Sequence, residues 1–287
     1  MRGLTVVRPG PLASFQDLGR PGYAHLGVPR SGAADRGALR QANRLVGNPE
    51  SATAIEVTFG GFAARATGFM VLTVTGPLTT VLIDGRAVGS HGVIGAADGA
   101  LIEVLAPPAG LRNYLAVRGG FCVEQTLGSS STDTLSGLGP EPLRTSDVLP
   151  IGSAQSAWPP IDFAPGPPAA QQPRELIIGR GPRYDDLADP AALTRTHWAV
   201  NPASNRIGVR LDASPDCPRP RHRTGRARPS EGVPLGAVQV PPSGQPVLFL
   251  ADHPVTGGYP VVAVLTAASV DAAAQLAPGE PVRLLLR

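Results

Sequence analysis

The chain has 287 residues, 42% of them hydrophobic and 16% charged, with a formal net charge of +3 and a pI near 9.3. That balance suits a globular protein with apolar material for one large or two smaller cores, and no run approaches the ~18 apolar residues of a bilayer span. All 25 basic residues are arginine, so the sequence holds no P-loop lysine, no lysine for a pyridoxal Schiff base and none to carry biotin.

The start, Met1-Arg2-Gly3-Leu4-Thr5-Val6-Val7-Arg8-Pro9, lacks the apolar core of a secretory signal, and the protein reads as cytoplasmic. Short β-branched or apolar runs bounded by Gly and Pro occur at 4–8, 53–59, 70–75, 78–83, 100–105 and 113–118 in the first half. Between the first two, Asp35 is placed to cap a helix over 36–46, with Leu39, Ala42, Leu45 and Val46 at helical spacing and Gly47 ending it. Cys122, in an apolar run, reads as a small buried hydrophobe, and it shares no metal-ligand spacing with Cys217, so no metal site is expected. Gly128-Ser129-Ser130-Ser131-Thr132-Asp133 is either an anion-binding turn or a plain polar one.

The proline-rich stretch 153–173 reads as a semi-rigid linker between an N-terminal lobe, 1–152, and a C-terminal lobe, 174–287. Further apolar runs follow at 175–179, 206–211, 236–240, 246–251, 260–266 and 281–286. Strands at such spacing indicate barrels or sandwiches rather than a βαβ sheet. A short helical turn is expected at 190–194, and a second helix after Ser269, with Val270, Ala274 and Leu276 inward and Pro278-Gly279 closing it. Five arginines crowd 219–228, with Pro218, Pro220 and Pro229 excluding a recognition helix. No nucleic-acid partner is expected, and the run reads as a solvated loop or a flap over an anionic ligand.

Glycine and proline are densest around one carboxylate. Pro229-Ser230-Glu231-Gly232-Val233 leads to Gln239-Val240-Pro241-Pro242 and then to Thr256-Gly257-Gly258-Tyr259-Pro260. Two glycines ahead of Tyr259 let the backbone approach a ligand closely. Glu231 can orient an amide, act as a base, or simply pair with an arginine. If Gln239-Val240 and 246–251 are consecutive antiparallel strands joined by the Pro241–Gln245 turn, Glu231 and Gly257 return to one end of a barrel. Arg183 and Asn205-Arg206 combine a planar cationic fork with an amide, a pairing suited to a substrate bearing carboxylate and amide groups. The plainer alternatives are a surface ion pair for Arg206 and a turn for Asn205. His25 and His253 lie near these motifs and rank second.

These segments, together with Val7-Arg8-Pro9-Gly10-Pro11, Gln16-Asp17-Leu18-Gly19-Arg20-Pro21-Gly22-Tyr23, Gly27-Val28-Pro29-Arg30-Ser31-Gly32 and Ser204-Asn205-Arg206-Ile207-Gly208, run nearly end to end. They resemble the biotin-dependent carboxyltransferase family, which includes allophanate hydrolase subunit 2, KipA and the C-type subunit of 5-oxoprolinase. The resemblance implies a mainly β protein with a few short helices, built as two tandem cyclophilin-like β-barrel domains. It implies the C-type subunit of an ATP-dependent 5-oxoprolinase, a lactam hydrolase inactive as an isolated chain. The implied partners are a KipI-type (allophanate hydrolase subunit 1) protein and a lactam-utilisation subunit, with ATP used by the complex. Two alternatives are a carboxyltransferase component of a urea carboxylase-like system, its biotin on a separate protein, and a non-catalytic KipA-type regulator that sequesters its partner. Within this resemblance Asn205, Glu231 and Arg183 are the catalytic candidates, and Arg30, Arg206, Thr256, Gly257, Gly258 and Tyr259 the substrate-binding ones. The chain departs from the family at Ser130, where relatives carry an arginine.

Overall fold

The computed structural model describes residues 2–154, 157–168, 171–223 and 229–287. Contacts divide the chain into two compact units. The first comprises Met1–Arg20, Asp35–Asp133 and Gly137–Pro168; the second comprises Pro21–Ala34, Thr134–Ser136 and Ala169–Arg287. Two short segments from the first half of the sequence therefore belong with the C-terminal residues, while 157–168 belong with the first unit.

In the first unit the strands are β1 (Gly3–Arg8), β2 (Leu12–Gln16), β3 (Ala54–Thr58), β4 (Phe62–Thr67), β5 (Met70–Thr75), β6 (Val81–Ile83), β7 (Arg86–Ala87), β8 (Ile94–Ala96), β9 (Leu101–Val104), β10 (Arg112–Val117) and β11 (Val148–Pro150). They form two antiparallel sheets, ordered β11-β1-β4-β9-β6-β7 and β2-β3-β10-β5-β8. The period-2 pattern of β1 turns Leu4 and Val6 inward, where they meet Ile55, Leu72, Ile102 and Leu115 from both sheets in one core. Every residue of β10 is buried, because helix α1 (Arg36–Leu45) covers the face opposite the core. As expected, Asp35 caps α1, accepting the Ala38 N–H at 2.9 Å, and Leu39, Ala42 and Leu45 face inward.

The second unit contains β12 (Arg174–Arg180), α2 (Ala192–Arg195), β13 (Trp198–Val200), β14 (Gly208–Ala213), β15 (Glu231–Gly232), β16 (Ala237–Gln239), β17 (Val247–Phe249), β18 (Thr256–Gly257), β19 (Val261–Leu265), α3 (Ala267–Ala273) and β20 (Pro281–Leu286). Seven strands close a barrel in the order β12-β19-β16-β17-β14-β13-β20, sealed by parallel pairing of β20 with β12. Its interior is filled by Leu176, Trp198, Leu211, Val238, Leu248 and Leu284. Strands β15 and β18 stand apart as a separate two-stranded ribbon.

The expected class is observed: the protein is mainly β with a few short helices, with one closed barrel and, in the first unit, two sheets around a single core. Several local expectations change. Cys122 is exposed, because Phe121 takes the inward position and the residue after it must turn outward. Helix α3 starts before Ser269, since Thr266 caps it by accepting the Ser269 N–H at 3.3 Å. Strand β14 starts at Gly208 rather than 206, because the Asn205 side-chain oxygen accepts the Ile207 N–H at 2.9 Å and holds a turn there. Along the expected linker, Trp158 stacks beneath the Arg118 guanidinium at 4.3 Å and the Ala164 N–H donates to the His91 carbonyl at 2.9 Å.

Replacing the α1 cap, Asp35→Ala, is expected to destabilise the fold by about 1 kcal/mol, read as a lower urea midpoint with an unchanged slope.

Candidate functional site

The site is built on the ribbon beside the barrel. Glu231 of β15 pairs directly with Gly257 of β18, and Gly232 with Thr256, so the two glycine-rich motifs do meet at one end. The cause is the antiparallel pairing of β16 with β17, turned by the Pro241–Gly244 hydrogen bond of 2.9 Å. Arg183 reaches the same place. Its Nε donates to Glu231 Oε2 at 3.1 Å, while Oε1 of that carboxylate accepts the Val261 N–H at 3.1 Å. Gly181 makes this approach feasible: a Cβ there would lie 2.5 Å from the Val261 carbonyl oxygen. Only glycine lets this turn come close enough for the Arg183 N–H to donate to that same carbonyl at 3.1 Å. Gln239 Nε2 donates to the Tyr259 carbonyl at 2.6 Å, fixing the Gly258-Tyr259 turn, and the Tyr259 ring itself is 48% exposed. Arg183, Glu231, Thr256, Gly257, Gly258 and Tyr259 thus form one group: a half-buried carboxylate and a partly exposed guanidinium beside an open glycine edge. The arrangement offers a hydrogen-bond acceptor and a cationic fork to a polar ligand.

The remaining candidates lie elsewhere or are otherwise occupied. Asn205 is exposed, and its Oδ1 is engaged in the turn to Ile207 and Gly208. Arg206 is not a surface residue. At 2% exposure it makes a bidentate pair with Asp252, Nε to Oδ2 at 2.9 Å and Nη2 to Oδ1 at 3.0 Å, and also donates to the Gly32 carbonyl at 2.7 Å. Arg30, two residues before Gly32, is exposed.

Asp252 is the residue that sequence reasoning misses. It accepts the Ser31 hydroxyl at 2.7 Å, the Thr134 hydroxyl at 2.7 Å and the Thr134 N–H at 2.9 Å, in addition to Arg206. A lone aspartate next to His253 carries no signal in the sequence, because its partners lie 46, 118 and 221 positions away. Burial alone would raise this carboxyl, but the Arg206 charge and the Thr134 and Ser31 donors outweigh it and hold its pKa below the ordinary 3.8. The same unit holds a cleft of about 530 Å³ walled by 24–29, 135–136 and 254–256, so Thr256 belongs both to the ribbon and to the cleft.

The serine-rich turn of the first unit binds an anion, and that anion is the protein's own Asp17. Its Oδ1 accepts the hydroxyls of Ser129 and Ser131, each at 2.6 Å, and Oδ2 accepts the Ser130 N–H at 2.8 Å. Ser130 is 1% exposed, and the buried Arg20 guanidinium closes the turn by donating to the Ser131 carbonyl. Of the arginine run, Arg226 and Arg228 lie outside the described residues. The part from 221 to 223 is pinned rather than loose: Arg223 donates to the carbonyls of Asp186 at 2.8 Å and Leu187 at 3.1 Å, and His222 meets the Val240 carbonyl at 2.6 Å. Among the described residues no cluster of three or more metal-ligating side chains occurs, and no helix is long and apolar enough to cross a membrane.

The family described as carboxyltransferase domain, subdomain A and B, matches residues 26–286. The chain belongs to this family. It is 33% identical to the C-type subunit of 5-oxoprolinase from Escherichia coli K12, over 98% of this chain and 90% of that protein. The solved structure of TTHA0988 superposes with a TM-score of 0.89 at 32% identity, covering 99% of this chain and 55% of that one. The Kluyveromyces lactis urea amidolyase structure gives 0.90 at 27% identity, covering 99% of this chain and 18% of that one. This carboxyltransferase-family chain therefore spans about half of one solved relative and less than a fifth of the other.

The Arg206–Asp252 pair contributes stability above the unfolded carboxylate pKa of about 3.9, and this is lost as pH falls through the lower folded-state value. Asp252→Asn leaves Arg206 buried without a counter-charge. It is expected to remove about 3–5 kcal/mol at neutral pH and to shallow the acid limb of the stability curve, checked by urea unfolding of both proteins from about pH 2 to 7.

Proposed function

We propose that this chain is the C-type subunit of an ATP-dependent 5-oxoprolinase, acting in the cytoplasm with a KipI-type partner and a lactam-utilisation subunit. The observation that carries this reading is the 33% identity to the corresponding E. coli 5-oxoprolinase subunit over nearly the full length of both chains. A lactam carbonyl is a weak electrophile. Transfer of the ATP γ-phosphoryl group to its oxygen releases ADP and leaves an activated carbon that water can attack. Opening of the C–N bond followed by hydrolysis of the acyl phosphate by a second water yields glutamate and phosphate. The lysine-free chain supplies no phosphate-binding lysine. Its contribution is the Arg183 fork for a carboxylate and the Glu231 oxygen for the ring amide, set beside the open Gly257-Gly258 edge. Asn205 is a weaker participant in this reading, since its side-chain oxygen is engaged in a turn.

A second reading is favoured by the TM-score of 0.90 against urea amidolyase: carboxyl transfer from carboxybiotin to urea or a related amide. The biotin-bearing lysine would then lie outside this sequence.

Reconstituted subunits are expected to release glutamate from 5-oxoproline with ATP consumption, and to lose that activity when this chain is omitted. The purified chain alone is expected to be silent; 5-oxoproline-stimulated ATP turnover by it would overturn the reading. Arg183→Ala is expected to lower turnover of the complex by about 10²–10³-fold while subunit assembly, followed by gel filtration, persists. Glu231→Gln separates two roles: a base is abolished by it, whereas a hydrogen-bonding acceptor largely survives.

A further inference from the structure

The cleft of about 530 Å³ in the second unit has the size of a small-molecule site. Its side chains combine an apolar body, including Leu135 and Val255, with a polar edge made by His25, Ser136 and Thr256. Its three walls come from segments remote in sequence, and each is tied to the same carboxylate. Ser31, just beyond the 24–29 wall, donates to Asp252 Oδ1 at 2.7 Å; Thr134, just before the 135–136 wall, donates twice to Oδ2; Asp252 itself precedes the 254–256 wall.

Backbone conformation reflects the constraint this tie imposes. Ser31 has φ +53°, a left-handed conformation costly for a residue with a side chain. It is held there by its hydroxyl on Asp252 and by the Arg206 bond to the next carbonyl, Gly32, at 2.7 Å. A buried ion pair is seldom the most stabilising way to fill a core, so its retention fits a role in fixing geometry.

We propose that this cleft binds the small amide-bearing reactant, and that Asp252, without touching it, is the positioning residue that sets the cleft's shape. The identity of the reactant rests on the function proposed above; the location of the cleft and the role of Asp252 do not. The aspartate gathers the three walls to one point; the apolar residues then cover the body of the reactant and exclude water, while Thr256, shared with the ribbon, leaves the reactant's amide to the Glu231 oxygen.

The test uses the full chain, alone and assembled with its partner subunits, with 5-oxoproline and urea as probes. NMR resonances of the His25 ring and the Leu135 and Val255 methyls report on the cleft without reference to turnover. Two variants leave the Arg206–Asp252 pair intact: Ser31→Gly, which removes the hydroxyl at a backbone position glycine tolerates, and Thr134→Val, which removes the other hydroxyl. The wild type is expected to show probe-dependent shifts at these three residues. The double variant is expected to fold, with weaker probe affinity by about tenfold or more, as for loss of one or two hydrogen bonds' worth of positioning. In the assembled complex it raises KM more than it lowers kcat. Shifts with urea but not 5-oxoproline would support the cleft while overturning the lactam reading. Absence of cleft shifts with both probes in both preparations overturns the proposal, as does a folded double variant with wild-type affinity.

Discussion

A carboxylate with no exposure to water has to be surrounded by donors before the second unit can close, and Asp252 is surrounded by donors from three other parts of the chain. The Coulombic attraction of Arg206 is one part of that shell; the Ser31 hydroxyl and the two Thr134 donors complete it. The cost of leaving such a charge unmatched is several kcal/mol, far more than that of shifting a surface loop. The positions of the loops beside the barrel therefore follow from the needs of one buried oxygen pair. The barrel supplies the rigid base from which Asp252 projects.

The same logic operates on a smaller scale in the first unit. A run of serines is a natural oxyanion receptor because each residue offers a hydroxyl and an amide. Here that capacity is saturated from within by Asp17. This also gives Ser130 a physical context. Its amide is one wall of an internal carboxylate site and its side chain is buried, a setting that favours a compact residue over a long cationic one.

Legibility follows the range of the interactions. Helix α1, with its Asp35 cap and apolar stripe, is readable because capping and periodicity act within a few residues. The meeting of Glu231 with Gly257 is readable because one tight turn between neighbouring strands dictates it. Strand β4, Phe-Ala-Ala-Arg-Ala-Thr, is not: alanine is a poor strand former, and only pairing with β1 and β9 makes it one. Arg206 is visible as an arginine in a suggestive motif, but its burial depends on Asp252 and Gly32, which no local pattern connects to it. Asp252 itself is legible only as a neighbour of His253. For the site as a whole, the glycine-rich ribbon is apparent from composition, whereas the group that shapes its surroundings emerges only from long-range contacts.

The contact between Ser31 and Asp252 joins residues 221 positions apart. At ribosomal speeds of about 5–20 residues per second, roughly 10–45 s separate their synthesis. Throughout that interval the 21–34 segment is a nascent stretch without its anchor, and Arg206 emerges 46 residues ahead of its counter-charge. Docking of the 21–34 segment and neutralisation of Arg206 are thus timed by the arrival of a single late aspartate, and closure of the barrel waits longer still, for β20. Translation that stalls before residue 252 leaves on the ribosome an intermediate with an unneutralised arginine and an undocked early loop, a form that a chaperone can recognise and a protease can cut.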